Sequence, residues 1–245
     1  MTDAHRPPRD GDGTVSRVLL VAGKPLANLI AVTLRHGSYE TRDATSETDV
    51  AASLREWHPH MVLIDIDHYR HFLGTFGAND GDGHMPLLAF TRKRDTSVKL
   101  DAFQRGADDI VEVPFTLDEI VARPYALMRR YRGINTTIVP KLRLGRQLEV
   151  DLIEQTVKIN GSQPLDLTPI QQTLLYVLAA NEGDVMTREE ILGSIWGSEF
   201  QIESNVVDRH IRELRVKLGD DWRTPRYIET VPGKGYRFKA DGPIH

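Results

Sequence analysis

Short, mainly apolar runs alternate with amphipathic stretches through the first half of the chain. RVLLV (17–21), HMVLIDID (60–67), MPLLAFT (85–91) and DIVEV (109–113) read as buried strands. Between them, Leu26 to His36 and residues 46–57, 96–105 and 117–131 have helical spacing. Strand alternating with helix predicts an α/β domain over 15–131, a doubly wound parallel sheet with helices on both faces. Ligands of such sheets gather at the C-terminal strand ends. The positions to inspect are therefore Ala22–Lys24, Asp65–Asp67, Thr91 and Val113. Pro124 falls inside the last helical stretch and is expected to kink or interrupt it.

The pattern changes after the polar connector YRGINTTIVP (131–140), whose core, 132–139, reads as a linker. KLRLGRQLEVDLIEQTVKINGSQPLDL alternates, which predicts short antiparallel strands, with Asn160-Gly161 as a hairpin turn signal. Three helices follow. Thr168-Pro169 with Gln171 and Thr187 with Glu190 are capping boxes that open the first two. The third holds SNVVDRHIRELRVKL (204–218), with Val207, Ile211, Leu214 and Leu218 on one side. At about 100° per residue, Asn205, Arg209, Arg212 and Val216 take the opposite pole. Val206 and Glu213 flank that pole, and His210 and Arg215 sit at the sides. RYIETVPGKGYRF (226–238) closes the second domain as two strands around a Pro-Gly-Lys-Gly turn. This domain spans 140–240, and residues 1–14 and 241–245 read as tails, the first disordered by its Pro, Gly and Asp content.

Composition narrows the function. The 245 residues carry a net charge of −4, so a nucleic-acid surface has to be local. Between Ser204 and Lys239, nine Lys and Arg stand against five Asp and Glu, which concentrates basic charge near the C-terminus. The absence of cysteine removes disulfides, thiolate zinc sites and thiol catalysis, and fits a reducing compartment. No run approaches the roughly 18 apolar residues of a membrane helix, and the N-terminus lacks a signal peptide's apolar core. The expectation is a cytoplasmic protein with no membrane partner. A nucleophile elbow, a phosphate-binding glycine loop and a zinc helix are all missing, so no catalytic residue, metal ligand or cofactor is assigned.

LTPIQQTLL, MTREEILGSIWG, VVDRHIRELRVKLGD and IETVPGKGYRF resemble, in order and spacing, the C-terminal domain of OmpR/PhoB-type response regulators. The N-terminal pattern, ending GADDIVEVPFTLDEIVARPYALMRR, resembles their receiver domain, so the resemblance covers about residues 17 to 239. It implies a winged helix-turn-helix with an N-terminal antiparallel sheet, bound to double-stranded DNA. Residues 205–216 would be the recognition helix and VPGKG the wing. The implied DNA contacts are Asn205, Val206, Arg209, His210, Arg212, Glu213, Arg215, Thr230, Lys234 and Trp196, though the Trp196 position equally suits a core. The loop 197–203 corresponds to the segment that meets RNA polymerase in many members. The helix supports this reading independently, because arginine pairs with guanine's two major-groove acceptors and flanking cations reach phosphates. A solvated helix face is the competing explanation. Members often carry arginine where this chain has Glu213 and Pro232. Arg209 is placed to take over base reading and Lys234 to supply the wing's cation.

The receiver departs further. The resemblance assigns Asp65 as phosphoacceptor and Thr91 as the hydroxyl partner. However, Ala22-Gly23 replace the acidic pair that holds Mg²⁺, Val113 replaces the lysine, and Ile110 stands at the aromatic switch position. Asp65 reads as a remnant, paired with Lys24. Asp67, taken as lying on the same strand, is a candidate replacement ligand or a solvated, turn-capping partner. The helix between Asp65 and Thr91 is expected to be short or missing. Lys99, Asp108, Asp109, Glu119 and Arg123 match charges that pair across the family's receiver homodimer, and are otherwise ordinary surface charges. The function expected is a DNA-binding transcription regulator acting without aspartyl phosphorylation. The alternatives are a conventional phosphorylation-activated regulator and an adaptor that has lost DNA binding, against which the third helix's arginines count.

Overall fold

The computed structural model describes residues 16–37, 39–76, 84–133, 140–197 and 205–239, which form two compact units meeting in sequence at Val139/Pro140. In the first, the apolar runs become β1 (Arg17–Val21), β3 (Met61–Asp65), β4 (Leu87–Thr91) and β5 (Asp109–Glu112). A further strand, β2 (Glu40–Asp43), completes a parallel sheet of order β2-β1-β3-β4-β5. Nothing in the apolar pattern marks β2, because Glu-Thr-Arg-Asp is polar throughout and mostly exposed. An edge strand of this kind is held by its backbone ladder to β1, in register Arg17↔Glu40 to Leu20↔Asp43. The interior strands β3 and β4 are buried at every residue, as a sheet covered on both faces requires.

Helices α1 (Lys24–His36), α2 (Glu47–Ala52), α5 (Thr96–Gln104) and α6 (Leu117–Arg132) occupy the helical stretches, with a π-helical turn, Ser53–Trp57, extending α2. Between β3 and β4 the described residues form a broken helix: α3 (Ile66–Tyr69), a 3-10 turn (Arg70–Phe72) and α4 (Leu73–Phe76). The expected interruption at Pro124 does not occur. Helix α6 runs through it from Leu117 to Arg132, with Pro124 itself buried. One missing donor removes a single i→i−4 bond, and the apolar face formed with Leu117, Ile120, Leu127 and Met128 still anchors both halves.

The second unit begins with an antiparallel sheet of β6 (Lys141–Leu144), β7 (Leu148–Asp151) and β8 (Thr156–Ile159). Asn160 and Gly161 both take positive φ, +48° and +70°, so they do make a turn, but among the described residues no strand follows it. The strand-to-strand turns lie instead between β6 and β7 and between β7 and β8. Both expected capping boxes form, at Thr168 for α7 (Pro169–Ala180) and at Thr187 for α8 (Arg188–Ile195). Helix α9 (Val206–Leu218) and the hairpin β10 (Ile228–Val231) and β11 (Gly235–Phe238) complete the fold, and β9 (Val185–Thr187) adds to β11 as an unforeseen third strand. Gly235 permits this: a Cβ there would lie 2.0 Å from the Met186 carbonyl oxygen.

Candidate nucleic-acid interface and receiver pocket

Helix α9 is anchored by Val207, Ile211, Leu214 and Leu218, all buried. Burying each such side chain contributes about 1.5–3 kcal/mol, which fixes the roll of the helix about its axis. Its other side then presents Asn205, Arg209, Arg212, Glu213, Val216 and Lys217 to solvent. Among the described residues Arg209 and Arg212 form no ion pair, and Val216 is 75% exposed between them and the helix end. A surface with two uncommitted guanidiniums and an apolar side chain has the chemistry for guanine acceptors and a thymine methyl. The wing turn, Pro232 to Lys234, is exposed at the tip of β10–β11, with Gly233 at φ +70°.

Several expected contacts are placed differently. Val206 is buried rather than flanking the exposed pole. Arg215 is turned inward and only 9% exposed. Its Nη2 donates to the Ile228 carbonyl at 2.7 Å and to Thr230 Oγ1 at 2.8 Å, so Thr230 also serves the protein's interior. Burial pulls Arg215 below the ordinary guanidinium value, with Asp220 and Tyr236 acting against it. Glu213 is drawn toward α7, where its carboxylate accepts from Gln171 Nε2 at 3.4 Å. His210 stacks on Trp196 at a centroid distance of 5.3 Å, which makes Trp196 part of the packing between α8 and α9. The expected polymerase loop, apart from Gly197, lies outside the described residues.

The sequence reading missed a second network beneath α9. Asp208, in the first turn of α9, accepts from Tyr236 Oη at 2.6 Å and Arg188 Nε at 2.7 Å. Burial, followed by the bond to Asp208, pushes the Tyr236 hydroxyl up to about 12, so it stays a neutral donor. Asp208 was masked by lying on neither pole of the helix, and its partners are 20 and 28 residues away.

In the receiver, the cation on Asp65 is Arg92, not Lys24. Arg92 Nη1 donates to Asp65 Oδ1 at 2.6 Å and lies 3.3 Å from Asp67 Oδ2, with its side chain 3% exposed. Asp67 is not on β3, which ends at Asp65; it lies in the first turn of α3 and its side chain is 6% exposed, so it is not solvated. It accepts from the Thr91 hydroxyl at 2.8 Å and the Arg92 backbone N–H at 2.7 Å. Asp65 Oδ1 also caps the Asp67 N–H, while Oδ2 lies 3.1 Å from His68 Nδ1. Burial alone would raise the Asp65 carboxyl, but the His68 hydrogen bond and the Arg92 charge outweigh it and hold the carboxyl below its ordinary value. The bond to Asp65 in turn raises His68. The signal for Arg92 was present in the sequence: it directly follows Thr91, at the end of β4 where sites gather.

Of the expected dimer charges, Lys99 pairs with Glu112, and Arg123 donates to Asp109 at 2.8 Å and Glu119 at 3.0 Å within one chain. Asp108 is committed within the chain. Its side chain is 9% exposed and accepts from the Leu87 N–H, His84 Nε2 and the Tyr131 hydroxyl, each at 2.8 Å. It closes the base of the sheet rather than offering a charge outward. Among the described residues no helix is long and apolar enough to cross a membrane.

The family model "Transcriptional regulatory protein, C terminal" matches residues 162–238. The DNA-binding response regulator MtrA of Mycolicibacterium smegmatis is 30% identical over 228 residues, covering 90% of this chain and 96% of that protein. The transcriptional regulatory protein KdpE of Mycobacterium tuberculosis is 29% identical over 225 residues, covering 91% and 99%. Among solved structures, the response regulator DrrB, an OmpR/PhoB homolog of Thermotoga maritima, is 25% identical with a TM-score of 0.42, covering 91% of this chain and 99% of that one. With its parallel-sheet receiver, its three-helix unit and hairpin, and a relative of this identity along nearly its whole length, the chain belongs to the OmpR/PhoB-type DNA-binding response regulators.

Proposed function

We propose that this chain is a cytoplasmic, sequence-specific transcription regulator whose receiver acts without aspartyl phosphorylation, as a homodimerisation module or a site for another signal. The observation that carries the reading is the Arg92 guanidinium set between Asp65 and Asp67. Aspartyl phosphorylation needs a carboxylate oxygen free to attack, a metal to neutralise charge in transit and a cation to hold the product. Here Asp65 Oδ1 is engaged by Arg92 and a backbone N–H, and Oδ2 by His68. Ala22 and Gly23 offer no carboxylate for Mg²⁺ at the end of β1, and buried Val113 offers no cation. The Thr91 hydroxyl is spent on Asp67.

DNA reading is assigned to Asn205, Arg209 and Arg212 in the major groove and Lys234 at the wing, with no catalytic step. The dimer face, in this reading, is Lys99, Asp109, Glu119 and Arg123, and the 197–203 loop is assigned to RNA polymerase. The test is intact-protein mass after incubation with acetyl phosphate and Mg²⁺. The expected result is no added mass and unchanged DNA affinity in both wild type and Asp65→Asn. A stoichiometric phosphoryl gain that disappears in Asp65→Asn and tightens DNA binding makes the protein a conventional phospho-switch and overturns the reading.

A further inference from the structure

Arg215 is a cation on a DNA-reading helix that points at protein instead of solvent. Nη2 binds the Ile228 carbonyl and Thr230 Oγ1, at 2.7 and 2.8 Å, and Nε reaches the same carbonyl at 3.3 Å. Both acceptors belong to β10, the first strand of the wing. Seven residues earlier on α9, Asp208 is bound by Tyr236 Oη at 2.6 Å, from β11, the second strand. Arg188, the first residue of α8, donates to the same Asp208 oxygen at 2.7 Å. The guanidinium carbons of Arg188 and Arg215 lie 5.0 and 5.8 Å from the centroid of the Tyr236 ring, so the two ties share a common aromatic floor.

The spacing of the ties matters. One attachment leaves a helix free to pivot about it. Two attachments seven residues apart, roughly 10 Å along the axis at 1.5 Å per residue, fix the helix direction relative to the hairpin. Helix and wing carry different DNA functions, base reading and phosphate contact, whose combination depends on their separation being set in advance. Neither Arg215 nor Tyr236 is itself placed to touch the duplex, since both are buried and committed to these bonds.

We propose that Arg215 and Tyr236 are positioning residues that lock the wing to the recognition helix, so that Lys234 and the Arg209–Arg212 face meet DNA as one rigid reader. The proposal rests on the DNA-reading face assigned above. The test uses the full chain, the duplex that the wild type selects from a random pool, and the unselected pool of the same length. Arg215→Lys keeps the charge but loses the fork, and should lower the preference for the selected duplex about tenfold. Tyr236→Phe keeps the ring but loses the hydroxyl's bonds to Asp208 and Arg188, and should lower it about threefold. Affinity for the pool should stay within about twofold in both.

The decisive readout is coupling to the wing. In the wild type, Lys234→Ala should make the log–log salt slope shallower by about 0.9, one phosphate contact. In the Tyr236→Phe background the same substitution should change it by less than half as much, because an untethered wing seats its lysine poorly. Equal slope changes in both backgrounds overturn the proposal, as does Arg215→Lys weakening both DNAs alike. If Arg215→Lys fails to melt cooperatively, Tyr236→Phe alone decides. Failure of the reading face looks different: the wild type then selects no duplex and Arg209→Ala changes nothing. Failure of the lock alone leaves Arg209→Ala effective and both positioning variants at wild-type preference.

Discussion

Arg92 in the receiver and Arg209 on the recognition helix are used in opposite ways. Arg92 is buried, 3% exposed, and its charge is neutralised by two carboxylates of its own chain. Arg209 is exposed and, among the described residues, uncommitted to any carboxylate. A guanidinium in water retains its hydration and its freedom until a ligand arrives, so exposure leaves Arg209 accessible to one. A guanidinium in a closed pocket makes the pocket part of the core. The same side chain thus keeps one unit receptive and closes the other, and the surroundings decide which.

The largest effect should come from opening the closed pocket. Arg92→Ala leaves Asp65 and Asp67 facing each other in the interior without their cation. Losing one partner of a buried pair costs about 3–5 kcal/mol, so the receiver's urea transition should move to markedly lower denaturant. Adding Asp65→Asn and Asp67→Asn should restore a large part, and a loss below about 1 kcal/mol would mean the pocket is far better hydrated than its burial implies. At the open site, Arg209→Ala should weaken the selected duplex by about 1–3 kcal/mol in a binding titration while leaving the melting temperature alone. An unchanged affinity would place base reading elsewhere on α9.

A half-exposed arginine tests the middle ground. Arg123 pairs with Asp109 and Glu119 within the chain, contacts worth about 0–1 kcal/mol at such exposure. Arg123→Glu should therefore barely alter folding but weaken self-association in sedimentation, and Glu119→Arg should partly restore it. A chain that is monomeric at micromolar concentration with full DNA affinity removes the dimer from the mechanism.

The smallest effect is the pH dependence of the closed pocket. The Asp65 carboxyl is held below its unfolded value of about 3.9, so its contribution is complete above that pH and is lost as pH falls through the folded value. His68 is held above its unfolded value of about 6.5, so its contribution is complete below that pH and is lost as pH rises through the folded value. Between those limits both are present. Receiver stability in His68→Gln should lose the alkaline-side decline and keep the acid-side one, measured as melting temperature against pH.

Local signals in the chain correspond to what local physics controls. The capping boxes at Thr168 and Thr187 and the apolar stripe of α9 depend on neighbours within a turn or two, and all three are readable. The interior strands β1, β3 and β4 are equally plain, because a strand covered on both faces is mostly apolar, whereas β5, expected to be buried, is an edge strand with only Val111 buried. The two strands that escaped, β2 and β9, are short and are held by backbone pairing to distant partners, which leaves little mark on side-chain pattern. Pro124 does not interrupt α6, because its cost is local while the packing of α6 that offsets it is not.

For the candidate sites the division falls in the same place. Set beside the family it resembles, the sequence has Ala22-Gly23 and Val113 at strand ends where carboxylates and a lysine are expected. It also determined which side of α9 faces outward, since the 100° repeat and the apolar stripe leave one choice. Folding was needed to show that Arg92 reaches Asp65, across 27 residues of chain, and that Arg215 turns in to the wing, across 13 and 15. A long guanidinium side chain reaches either solvent or a neighbouring acceptor from one backbone position. Which it takes is set by whether the acceptors that folding brings near replace the water it gives up.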